Sequence, residues 1–149
     1  MNPAFDQPPR IFLADDHQAI LDRASALLDA KFQLVGRAQN GRAALEGIGS
    51  LHPDVLVMDI GMPVLDGIRV MEQLQKNGSP VKVVFLTVQE DPDYVNAAFR
   101  YGARAYVAKP RMGSDLIRAV EEVLAGRTFV SPSLPVPDQE LAVNIPDPV

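Results

Sequence analysis

The chain has 149 residues, 47% of them hydrophobic, with two histidines and no cysteine; this is enough for one domain with its own core, it excludes disulfides, thiolate zinc sites and cysteine nucleophiles, and His17 and His52 alone argue against a metal centre built from histidines. Nineteen acidic against fourteen basic residues set the formal charge at -5, the wrong sign for a segment that binds nucleic-acid phosphates directly. No apolar run approaches the roughly 18 residues of a membrane span and MNPAFDQPPR has no signal-peptide character, so the expectation is a cytoplasmic protein with no membrane partner.

Residues 1–9 are read as an N-terminal extension. RIFLA (10–14) is then a short apolar strand that runs into Asp15 and Asp16, followed by helical spacing at Ile20, Ala24, Leu27 and Leu28. FQLVGRA (32–38) is a second strand, and Asn40 is a cap for the second helix. VLVM (55–58) is the third strand; four apolar residues in a row suit a strand buried on both faces, and they lead directly into Asp59. Asp66-Gly67 is assigned to a turn. VKVVFLT (81–87) is the fourth strand, ending at Thr87, and Asp91-Pro92 caps a helix carrying Tyr94, Val95, Ala98 and Phe99, with Gly102 as its stop. RAYVA (104–108) is the fifth strand and leads to Lys109; Ser114 is read as the cap of a last helix with Leu116, Ile117, Val120, Val123 and Leu124 on its buried face. Past Phe129 the composition shifts, and residues 131–149 hold five of the thirteen prolines and no Lys or Arg. Residues 10–129 are therefore the domain and 130–149 a Pro-rich linker or tail, in which ELAVNI (140–145) is at most a short edge strand.

Strands alternating with helices imply right-handed parallel βαβ units with helices on both faces of the sheet. The expected fold is α/β, a doubly wound five-stranded parallel sheet in order 2-1-3-4-5 of the flavodoxin-like type. Ligands of such sheets bind beyond the carboxyl ends of the strands where the order reverses, and every strand-end polar group found above lies at that edge. Asp15, Asp16 and Asp59 meet at the switch point. Carboxylates crowded there require either a proton or a cation; with oxygen donors the expected ion is Mg²⁺, which retains water and welcomes a phosphate oxygen. A remaining carboxylate is then free to attack phosphorus, with Thr87 and Lys109 as phosphate donors.

Each residue alone has a duller reading. Asp15 and Asp16 suit a helix cap, Asp59 a turn, Lys109 a solvated surface and Tyr106 a half-buried strand position; it is the joint occurrence, one group per strand end, that outweighs these. Two rival chemistries fit poorly. A dehalogenase-type phosphatase has a second aspartate two residues after its nucleophile, where this chain has Gly61, and a nucleotide binder needs a phosphate loop where Asp15 and Asp16 would repel phosphate. A module of the same shape that is never phosphorylated is the third alternative.

LADDH (13–17), MDIGMPVLDG (58–67), FLT (85–87) and AYVAKP (105–110) together resemble the receiver domain of bacterial two-component response regulators over about residues 10–129. The resemblance implies that Asp59 accepts a phosphoryl group from a sensor histidine kinase, with Asp15, Asp16, Asp59 and the Gly61 backbone carbonyl at a Mg²⁺ ion. It implies that Thr87 turns toward the phosphoryl group, Tyr106 swings inward and Lys109 pairs with a phosphoryl oxygen. Lys109-Pro110 is expected as a cis peptide, and Gly61 and Gln89 as the positions that tune dephosphorylation. Val88 stands where the family has a small residue, so slower access by water or small phosphodonors is expected. The domain is not expected to be an enzyme beyond assisting its own phosphorylation and dephosphorylation. The stretch from Lys109 to Leu134 resembles receivers that precede a helix-turn-helix output module of the LuxR/FixJ type, which implies control of transcription; the chain is either a receiver cut from a longer regulator, the preferred reading, or a single-domain regulator, and the exposed face of residues 94–124 is by the same resemblance the candidate surface for a homodimer.

Overall fold

The computed structural model describes residues 7–134. The ELAVNI segment lies outside the described residues. Along the chain come β1 (Arg10–Ala14), α1 (Gln18–Asp29), β2 (Gln33–Ala38), α2 (Gly41–Leu51), β3 (Val55–Met58), α3 (Gly67–Lys76), β4 (Lys82–Thr87), α4 (Pro92–Arg100), β5 (Ala105–Ala108), α5 (Met112–Leu124) and β6 (Phe129–Val130), with a 3-10 turn over Lys109–Arg111 between β5 and α5. The sheet order is β2-β1-β3-β4-β5-β6 and every pairing is parallel. The expected order 2-1-3-4-5 is observed, and a sixth, two-residue strand extends it.

Side chains alternate between the two faces of the sheet with the period of two that a strand dictates. Phe12, Leu56, Met58, Val83, Phe85 and Tyr106 pack on one side under α2, α3 and α4, through residues such as Ile48, Val70, Leu74 and Val95. Ile11, Leu13, Val57, Val84, Leu86 and Val107 pack on the other under α1 and α5, through Leu21, Leu28, Leu116 and Val120. This two-sided burial is why β3 reads VLVM without a polar residue.

Helix starts follow from local chemistry, with two departures from expectation. Asn40 accepts the Ala43 N–H at 2.8 Å and Asp91 the Asp93 N–H at 2.8 Å, with Pro92 in the first helical turn. Asp66 is more than a turn residue, because its carboxylate accepts the Arg69 N–H at 2.9 Å and caps α3. Ser114 does not cap α5: the helix already begins at Met112, since the preceding 3-10 turn hands its backbone over without a break, and the Ser114 hydroxyl instead donates to the Arg111 carbonyl at 3.2 Å. Gly102, at φ +99°, ends α4 in the left-handed conformation that favours glycine.

The Lys109–Pro110 bond is trans, as are all peptide bonds among the described residues, which corrects the expected cis isomer. The chain turns from β5 into α5 by another route: Pro110 supplies its fixed φ inside the 3-10 turn, and the Met112 N–H bonds the Lys109 carbonyl. The division drawn at residues 129 and 130 falls between the two residues of β6, and beyond that strand Ser131 and Leu134 are buried against the domain.

Candidate functional site

The acidic residues sit at the strand ends because the ladder continues one residue past the strands that carry them. The Asp15 N–H bonds the Ala38 carbonyl and the Asp59 N–H bonds the Ala14 carbonyl, both at 3.0 Å. From the opposite side α3 closes in on the backbone of Asp59. A Cβ at Gly67 would lie 2.6 Å from the Asp59 carbonyl oxygen and 2.8 Å from the Phe85 ring, so only glycine permits that approach.

Asp15 and Asp59 are almost completely buried, at 1% and 4% exposure. Burying carboxylates this deeply is costly unless they are paired, and the partner is Lys109, itself 6% exposed. Its Nζ donates to Asp59 Oδ2 at 3.0 Å and lies 2.8 Å from Asp15 Oδ2, an ion-pair distance off the hydrogen-bonding direction. Burial alone would lower the lysine pKa, but the two carboxylates more than offset it and hold the ammonium group above its ordinary range. Lys109 is thus a fixed positive charge lying against two of the carboxylates that the sequence brings together.

Asp16 completes the acidic group at the half-exposed rim, and donor atoms from Asp15, Asp16, His17 and Asp59 all lie within 4.8 Å of one another. Two buried oxygens, Asp15 Oδ2 and Asp16 Oδ1, have no hydrogen-bond partner. Three carboxylates gathered against the one ammonium of Lys109 leave the cluster short of positive charge, which suits a hard divalent cation, so the residues present fit Mg²⁺. Gly61 follows on the exposed side, where its N–H makes a long 3.4 Å bond to Asp59 Oδ1.

Thr87, Gln89 and Tyr106 form a separate set beside the carboxylates. Thr87 is fully buried, and its Oγ1 accepts the Gln89 N–H at 3.2 Å. Tyr106, also fully buried, donates its hydroxyl to the Gln89 carbonyl at 2.6 Å and packs its ring 6.2 Å from that of Phe85. Burial first, and the nearby charge of Asp59 second, push the phenol pKa well above its ordinary value, so this hydroxyl keeps its proton. The Tyr106 side chain is therefore inward, while Val88 points out at 63% exposure.

The family model for the response regulator receiver domain matches residues 11–121. This chain belongs to that family. Among curated relatives, the receiver is 39% identical over 127 residues to the transcriptional regulatory protein YvfU of Bacillus subtilis, covering 84% of this chain and 64% of that protein. It is 31% identical over 127 residues to the transcriptional regulatory protein DegU of Brevibacillus brevis, covering 84% of this chain and 54% of that one. The chain therefore spans somewhat more than half the length of these relatives. Among solved structures, the signal receiver domain of the response regulator NarL from Mycobacterium tuberculosis matches with a TM-score of 0.78 and 28% identity, covering 81% of this chain and 99% of that one. A LuxR-family two-component response regulator from Aurantimonas matches with a TM-score of 0.81 and 27% identity, over 86% of this chain and 93% of that one. Receiver domains hold Mg²⁺ on an acidic cluster of this kind and are phosphorylated by histidine kinases, and the curated relatives named above are transcriptional regulatory proteins.

One polar network of the receiver was not anticipated from sequence. Asp115, 4% exposed, accepts from Arg111 Nε at 2.9 Å, from Ser131 Oγ at 2.8 Å and from Ser114 Oγ at 3.0 Å, while Ser131 Oγ also accepts the Ala108 N–H at 3.1 Å. Burial would raise the Asp115 pKa, but the bonds from Arg111, Ser131 and Ser114 outweigh it and lower the pKa. The spacing of Arg111 and Asp115, four residues apart on one helical face, is the signal that could have revealed part of this network. Nothing local marks Ser131.

Proposed function

We propose that Asp59 is the phospho-acceptor of this receiver and that its donor is the phosphohistidine of a sensor histidine kinase. The observation that carries the reading is the single buried ammonium of Lys109 shared by Asp15 and Asp59 at the topological switch point. Asp15, Asp16, Asp59 and the Gly61 carbonyl would hold Mg²⁺, which when bound supplies positive charge opposite the phosphoryl oxygens. Lys109 occupies Asp59 Oδ2 and leaves Oδ1 with only the long bond from Gly61, so Oδ1 is the oxygen presented to phosphorus.

In the transfer the Oδ1–P bond forms as the N–P bond of the phosphohistidine breaks. The bonding pair returns to the imidazole nitrogen of the kinase. Lys109, kept protonated by its surroundings, can then turn its ammonium from Asp59 Oδ2 to an oxygen of the new phosphoryl group, a charge placed in advance of the charge it meets. Thr87 is the hydroxyl that would follow the phosphoryl group, and Tyr106, which shares the Gln89 backbone with Thr87, would report its movement to α4 and β5 as a population shift between two states. Gly61, two residues past the acceptor, and Gln89, two past Thr87, would be the positions that tune dephosphorylation; in both directions the domain would assist the reaction on its own Asp59.

A cytoplasmic location, an output on transcription through a helix-turn-helix segment beyond Val149, and a homodimer formed by the exposed face of residues 94–124 belong to the same reading. In this reading the folded domain begins at Arg10 and takes in β6, Ser131 and Leu134, beyond the boundary drawn at residue 129. Incubation with Mg²⁺ and acetyl phosphate, or with a cognate kinase, tests the acceptor. The expected result is a gain of one phosphoryl group in the intact mass, mapped to Asp59 by borohydride reduction and lost in Asp59→Asn. A phosphoryl group that persists in Asp59→Asn on another residue, or none at all with an active kinase, overturns the proposal.

A further inference from the structure

His17 Nδ1 lies 3.1 Å from Asp15 Oδ1 and 3.1 Å from Asp16 Oδ1. The second approach is not held by a hydrogen bond, since Asp16 Oδ1 is buried and has no hydrogen-bond partner. Asp15 Oδ2, on a residue 1% exposed, likewise has no hydrogen-bond partner and faces the Lys109 ammonium at 2.8 Å. Adjacent donors around a six-coordinate ion with bonds of about 2.1 Å lie about 3.0 Å apart, so the Nδ1 to Oδ1 spacing is that of neighbouring ligands on one cation. We propose that His17 is a nitrogen ligand of this cation site, which makes the receiver favour ions such as Co²⁺ and Ni²⁺ over Mg²⁺ by a wider margin than its carboxylates alone would give.

Without a cation the His17 ring bonds Asp15 Oδ1 at 3.1 Å, the same oxygen that accepts its backbone N–H at 2.9 Å, so its contacts lie within the acidic cluster. It occupies the cap position of α1, with φ -99° and ψ 115°, where Ser, Thr, Asp or Asn would serve the helix, yet its side chain makes no capping bond. The ring is 64% exposed, so it supports no core and can turn with little loss of packing. The charges around it are the carboxylates of Asp15, Asp16 and Asp59 and the ammonium of Lys109. Imidazole is a good donor to late first-row ions and a poor one to Mg²⁺, whose preference is for carboxylate, carbonyl and water oxygen. One nitrogen added to an oxygen cluster therefore changes selectivity without closing the site to Mg²⁺. The inference rests on the cation site of the proposed function and concerns which ions that site prefers.

Calorimetric titration of the full chain with Mg²⁺, Co²⁺ and Ni²⁺, compared with His17→Ala and with His52→Ala as a control for the other histidine, tests the assignment. In His17→Ala the Co²⁺ and Ni²⁺ affinities should fall about tenfold or more, the Mg²⁺ affinity should change little, and His52→Ala should behave as the parent. The visible spectrum of bound Co²⁺ should shift in His17→Ala, and Asp16→Ala should weaken all three ions, which ties the histidine to the acidic site. Equal losses for Mg²⁺ and Co²⁺ in His17→Ala, or Co²⁺ binding that survives Asp16→Ala, overturn the inference. If the parent binds Co²⁺ through His17 but never binds Mg²⁺, the inference stands and the Mg²⁺ part of the proposed function falls.

Discussion

Lys109 holds two buried carboxylates with one ammonium group, and this asymmetry sets what its loss does. In Lys109→Met a side chain of similar length remains but Asp15 and Asp59 are left buried without a counter-charge, a change worth about 3–5 kcal/mol where one partner of a buried pair is removed. Urea unfolding without divalent ions should register that loss, and Mg²⁺ should restore part of it, because an ion on the carboxylates replaces the missing charge. A group whose pKa is raised on folding contributes stability that is fully present below its unfolded pKa and disappears as pH rises through the folded one. Lys109 is such a group, so the gap between parent and Lys109→Met should be constant through neutral pH and begin to close only above about pH 10.4, the ordinary lysine value. A gap that closes near pH 7 would mean that the ammonium is not the charge balancing Asp15 and Asp59.

At the scale of elements, the junction of β5, α5 and β6 is held by the buried network centred on Asp115. Ser131→Ala removes the donor to Asp115 and the acceptor of the Ala108 N–H together, leaving two buried groups short of a partner, and should cost about 1–3 kcal/mol in a denaturant melt. Asp115 has a lowered folded pKa, so its contribution is present above the ordinary carboxylate value of about 3.9 and is lost as pH falls through the depressed folded value. Asp115→Asn, which mimics the protonated acid, should therefore be less stable than the parent at pH 7 and approach it below about pH 3.9. A stability difference that is the same at both ends of that range would remove the ionised carboxylate from the account. Most elements were legible in sequence because each has one apolar period: VLVM spans β3 without error, and Asn40, Asp91 and Gly102 mark helix ends by chemistry local to themselves. The misread points lack that local character. Ser114 is a good cap residue overruled by a 3-10 turn upstream, and Phe129–Val130 is too short to show a period, being a strand only because β5 offers it an edge.

For the whole molecule, the legible part of the site was its composition and the illegible part was its pairing. Strand order alone brings Asp15, Asp16 and Asp59 to one edge. That Lys109 lies across two of them, that His17 stands within 3.1 Å of two carboxylate oxygens, and that Ser131 reaches back to Ala108 all depend on distances that no spacing in the chain encodes. The last of these bears on where the folded unit stops. β6 continues the sheet, the Ser131 N–H bonds the Tyr106 carbonyl at 3.0 Å, and Leu134 is buried in the same cluster as Tyr106 and Phe85. A chain ending at Thr128 should thus be less stable than one ending at Leu134 by about 3 kcal/mol or more, combining one buried leucine with the Ser131 bonds. The shorter chain should also show faster amide hydrogen exchange in β5, and in particular at Ala108, whose N–H loses its acceptor. Because β5 carries Tyr106 and leads into Lys109, loosening it should disturb the site as well as the fold, so Mg²⁺ should protect the shorter chain less. Equal stability and exchange in the two chains would show that residues 129–134 rest on the receiver without supporting it.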